Sequence, residues 1–200
     1  MTVPMALMDF VPVFLFLASV ILLQRRLYPQ MKSGVFALFA CGAGMVFTAG
    51  FLKALWKLLY ALNLCDFEAL NLTFMPLQSV GFLVTGVSLL LLLLGTRQKT
   101  AAAAPAVYSG TMLFVGLMVA GVLLTDVCLA ILAKRAKKPL AAVLFLVSFV
   151  FMMGMGYLSS RDFAEASMHW IAQSVNAVGQ GLLLAGTLLL GQTDGKEKTV

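Results

Sequence analysis

Apolar residues run along this chain in stretches longer than a soluble core needs, broken by short charged clusters. Six stretches can be drawn, at 10–28, 34–62, 71–95, 107–133, 139–158 and 165–191, followed by a polar tail at 192–200. Each is close to the roughly 20 residues that a helix needs to cross about 30 Å of hydrocarbon. Backbone amides in lipid must find partners within their own segment, which favours helices. The runs also lack the alternation of a barrel strand. The pattern predicts an all-α, polytopic helical membrane protein with about six transmembrane helices in a single membrane domain.

The breaks support this division. They are the basic-flanked turn at 29–33, the acidic CDFE at 65–68, TRQKTAAAAP, the basic KRAKK and SSRDF. Tyr28, Tyr60, Tyr108, Tyr157, Trp56 and Trp170 all fall near stretch ends, at the headgroup level that amphipathic rings prefer. The first stretch has no basic region before it and ends in QRRLYPQMK. A retained span is therefore expected, not a removed signal peptide. The second stretch is long for one crossing. Its end, LKALWKLLYALNL, sets Lys53, Lys57 and Tyr60 at helical spacing. This predicts either an interfacial amphipathic extension beyond Phe51 or lysines snorkelling from a tilted helix.

A repeat is visible. DF at 66–67, QSV at 78–80 and Gly86 are echoed by DF at 162–163, QSV at 173–175 and Gly181, and VFTAG at 46–50 by VFMMG at 150–154. If six crossings alternate, two three-helix halves have opposite senses, so an inverted repeat is predicted. Chance matching in low-complexity apolar sequence is the competing reading.

Composition sharpens the class. Of 200 residues 62% are hydrophobic and only 11% charged, against about a quarter charged in soluble domains. The net charge of +6 comes from bases flanking apolar runs, so the expected partners are the lipid bilayer and its anionic headgroups, with no nucleic acid. Alternating spans put eight bases on one side and six on the other. The KRAKK loop tips both termini to the inside. The architecture resembles that of small bacterial membrane proteins, making a bacterial cytoplasmic membrane the expected location. Three scattered cysteines and one histidine leave no metal site, no cofactor site and no disulfide framework to expect.

Polar positions inside the apolar runs are the candidate chemistry. On a helix at 100° per residue, Glu165, His169, Gln173, Asn176 and Gln180 share an arc of about 80°. Such a stripe should face the bundle interior or a wet cavity. Asp162 and Glu165 have capping-box spacing, which is the structural alternative for Glu165. His169, beside Trp170, belongs near the headgroups; with Glu165 it is an interfacial or proton-sensing candidate. The deeper amides could equally bond helix to helix. Asp126 is the acid set well inside a run, and a charge there needs a partner, water or neutralisation. Under alternating spans, depth groups Asp126 with Gln78 and Gln180. The expected substrate cavity is thus Asp126, Gln78, Gln180, Asn176 and Gln173, with Pro76 kinking the third span beside it. His169 lies towards the opposite face, too far for a dyad with Asp126.

Three functions fit. The first is a transporter or channel for a small solute or ion. The second is a non-transporting sensor or assembly subunit, with a partner protein or a second copy of the chain. The third is a lipid-modifying enzyme around Glu165 and His169. Zinc-protease, nucleophile-elbow and phosphate-loop motifs are absent, so an enzyme is the less expected outcome.

Overall fold

The computed structural model describes residues 2–95, 111–159 and 166–192. Eight α-helices are present there: α1 (Val3–Met8), α2 (Phe10–Leu27), α3 (Ser33–Ala61), α4 (Glu68–Leu72), α5 (Phe74–Leu94), α6 (Thr111–Arg135), α7 (Pro139–Ser159) and α8 (Ala166–Gly191). No strand occurs among the described residues. Five segments are long and apolar enough to cross a bilayer: Val3–Gln30, Ser33–Ala61, Glu68–Leu94, Met112–Arg135 and Met168–Gly191. Apolar α7 is packed between α6 and α8 as a sixth. The chain is a polytopic helical membrane protein. The TRQKTAAAAP link, Tyr108, Asp162, Glu165 and the tail from 193 lie outside the described residues.

Local chemistry sets the helix ends. Asp9 keeps near-helical dihedrals (φ −62°, ψ −23°) between α1 and α2, so the two continue as one span. Helix α3 runs unbroken to Ala61. It closes with Asn63 at φ 54° and a Leu64 N–H donated back to the Leu59 carbonyl, a left-handed cap in which Asn takes the usual glycine place. Lys137 (φ 58°) closes α6 likewise, with the Lys138 N–H bonded to the Ala133 carbonyl. Pro76 falls in the first turn of α5, where the missing N–H would have had no intrahelical partner. The span breaks at Thr73, between the end of α4 and the start of α5, three residues before Pro76. The Ser79 hydroxyl donates to the Met75 and Pro76 carbonyls at 2.8 and 3.1 Å.

Pairwise contacts fix the directions. Gly50 meets Val13, and Gly42 meets Gly81 and Thr85, so α3 is antiparallel to α2 and α5. Gly186 meets Phe145 and Gly179 meets Phe151, so α7 and α8 are antiparallel. The tight 136–138 turn reverses α6 into α7. Helices α5 and α6, however, run the same way: Gly86 packs on Gly121, and Arg135 Nη1 donates to the Leu93 carbonyl at 3.2 Å. So do α2 and α8, joined by Arg26 Nη1 donating to the Gly191 carbonyl at 3.4 Å. Both guanidiniums sit on carbonyls at helix C-termini, the negative end of the dipole.

Four helices (α2, α5, α6 and α8) therefore run from one face, the upper, to the lower, and α3 and α7 return. The halves α2–α3–α5 and α6–α7–α8 have the same sense, so the expected inversion does not hold. That expectation rested on strict alternation of apolar runs, whereas Leu94 lies at the lower face and Thr111 at the upper. Thr2 and Gln192 also end on opposite faces, contrary to the expected common side. The bases redistribute as well. Arg25, Arg26, Lys32, Lys134, Arg135, Lys137 and Lys138 are at the lower face, leaving Lys53 and Lys57 towards the upper.

Candidate functional site

Near the upper face, α2, α3, α5 and α8 part to leave a partly open cleft of about 90 Å³, room for several waters. Its floor is apolar, with Phe16, Val46 and Phe82. Its walls are not.

One wall carries charge. Lys57 Nζ pairs with Asp9 Oδ2 at 2.5 Å, with Asp9 6% and Lys57 13% exposed. Asp9 makes no side-chain cap to α2; its carboxylate turns to α3 instead, and Oδ1 has no hydrogen-bond partner. One turn earlier on α3, Lys53 Nζ sits 3.8 Å from the centre of the Phe74 ring, a cation–π contact. Both lysines line the cleft. The i, i+4 spacing of Lys53 and Lys57 was the signal in the sequence. Asp9, one span earlier, was the missing partner.

The facing wall is carboxamide. Gln78 from α5 and Gln173, Asn176 and Gln180 from α8 line the same cleft. Gln173 and Gln180 are 8% and 6% exposed. The Oε1 atoms of Gln78, Gln173 and Gln180 are buried without a hydrogen-bond partner. Gln78 and Gln173 are the matching residues of the two QSV motifs. Because α5 and α8 run the same way, the repeat brings them to one depth on opposite sides of one space.

Asp126 is elsewhere. It is 2% exposed and lines a separate, smaller cavity of about 20 Å³ with Thr85 and Thr125. Phe16 and Phe82 line both cavities, their rings edge to face with centroids 6.0 Å apart. The expected grouping of Asp126 with Gln78 and Gln180 assumed that α6 ends where α5 begins. The two helices end together, so Asp126 lies nearer the lower face. His169, at the start of α8, is at the upper end and does not line the cleft; Glu165 is outside the described residues. Among the described residues no group of three His, Cys, Asp or Glu could hold a metal. No family model, curated protein or solved structure matches the chain.

Proposed function

We propose that this chain moves a small polar solute or ion across the membrane, with the upper cleft as its entry site. The supporting observation is the set of buried carboxamide oxygens that converge on one cleft unpaired. Amides serving as helix-to-helix glue would spend those oxygens on one another. An unpaired buried polar group costs roughly 1–3 kcal/mol on protein scales, a cost that is removed when these side chains turn towards water or solute in the cleft. Acceptors lie beside two ammonium groups and one carboxylate. That chemistry suits a solute carrying both N–H or O–H donors and an anionic group.

The test is uptake of labelled amino acids and small carboxylates into liposomes holding the purified protein. Protein-dependent uptake of at least one is expected, reduced roughly tenfold by Gln173→Leu or Lys53→Ala, the loss of about one strong hydrogen bond. Protein-free and protein-loaded liposomes that behave alike across the panel, with no ion current in planar bilayers, would sink the proposal.

The lower face, with seven of the nine described bases, is assigned to the cytoplasm by the positive-inside rule, where anionic headgroups would meet it. Cys65, exposed in the α3–α4 loop, then faces outward, while Cys128 is buried and Cys41, exposed on α3, lies within a membrane-spanning segment that the reagent does not enter. A membrane-impermeant maleimide is expected to label intact cells, and Cys65→Ser to abolish the signal. Labelling of Cys65 only after lysis would reverse the orientation.

A further inference from the structure

The Asp126 cavity is not part of the cleft and needs its own account. Asp126 comes from the middle of α6, is 2% exposed, and its Oδ1 has no hydrogen-bond partner. Everything else around the cavity on α2, α3, α7 and α8 is apolar; Phe39, Met152 and Leu183 are examples. Among the described residues no second titratable or charged side chain lines it, so none of them neutralises the carboxylate.

Two hydroxyls stand at the same cavity. Thr85 Oγ1 donates to the Gly81 carbonyl at 2.8 Å, and Thr125 Oγ1 to the Gly121 carbonyl at 2.8 Å. Thr125 Oγ1 also reaches the Phe82 carbonyl of α5 at 3.5 Å; each hydroxyl hydrogen is thereby committed to a helix carbonyl, which leaves the oxygen lone pairs as acceptors. A carboxylate and two hydroxyl oxygens are hard donors, of the kind that suit a small hard cation. The volume of about 20 Å³ admits one water-sized occupant. We propose that Asp126, with Thr85 and Thr125, forms a site for one monovalent cation, a proton or Na⁺, behind the Phe16–Phe82 ring pair. The proposal stands apart from transport, since it concerns binding alone.

Two measurements on the purified wild-type protein separate the sources. A bound proton gives an infrared band of a protonated carboxylic acid at neutral pH that shifts on deuteration and is lost in Asp126→Asn. Bound Na⁺ gives no such band; instead NaCl, but not choline chloride, raises the Tm, and Asp126→Asn or Thr125→Val removes the rise. Either result supports the site. Wild-type protein showing neither, or either signal persisting unchanged in a folded, monodisperse Asp126→Asn variant, would overturn it. Because neither measurement uses flux, its failure would leave the transport proposal to its own test.

Discussion

Lys57→Met is expected to destabilise the protein by roughly 3–5 kcal/mol, the usual result of removing one partner of a buried ion pair. Lys57 and Asp9 are both largely buried, so the variant leaves a carboxylate on the cleft wall between α2 and α3 without its partner. Methionine keeps most of the side-chain volume, which isolates the charge from the packing. Lys53 is within electrostatic reach of Asp9, but its ammonium is engaged over the Phe74 ring, so it offsets only part of the loss. The double variant Asp9→Asn with Lys57→Met should recover most of the loss, since it removes both charges. Unfolding followed in detergent, with all four members of the cycle, measures the coupling directly. A Lys57→Met protein within about 0.5 kcal/mol of wild type would mean that the pair behaves like an exposed surface bridge.

Gly121→Ala should also cost about 1–3 kcal/mol, the range for overpacking. A Cβ there would lie 2.6 Å from the Leu83 nitrogen and 2.7 Å from the Phe82 carbonyl carbon. Those are backbone atoms of α5, so relief requires moving a whole helix. Gly42→Ala should behave the same way, its Cβ meeting the Thr85 nitrogen at 2.7 Å and the Gly81 oxygen at 2.8 Å. Gly44 and Gly116 are the controls: a Cβ at either meets nothing within 4 Å. Alanine there should be neutral or stabilising by up to about 1 kcal/mol from helix propensity. Thermal melts of the four single variants decide it. If Gly121→Ala melts like Gly116→Ala, α5 and α6 do not approach as described, and the shared sense of the two halves loses its main contact.

The class of protein was legible from the chain alone. A run of some 20 apolar residues can satisfy its backbone in lipid only as a helix, whatever surrounds it. The stripe on α8 was legible for a related reason: 3.6-residue periodicity puts Gln173, Asn176 and Gln180 on one side before any neighbour is known. Even the paired Gln78 and Gln173 stood out through the repeated QSV. These are local properties, carried by each segment by itself.

Direction across the membrane is not local. A hydropathy pattern says that α5 and α6 can each cross, but not that they cross the same way. Once α6 is turned over, Asp126 leaves the amide cluster, the bases gather on one face and the repeat changes from inverted to parallel. The Asp9–Lys57 pair belongs to the same category. Asp9 lies near the start of one span and Lys57 near the end of the next, and only the antiparallel packing of α2 on α3 brings them into contact. The sequence by itself determined which segments enter the membrane and which of their faces are polar. The tertiary structure decided which polar faces share a cavity, because that depends on helix sense and on contacts between residues far apart in the chain.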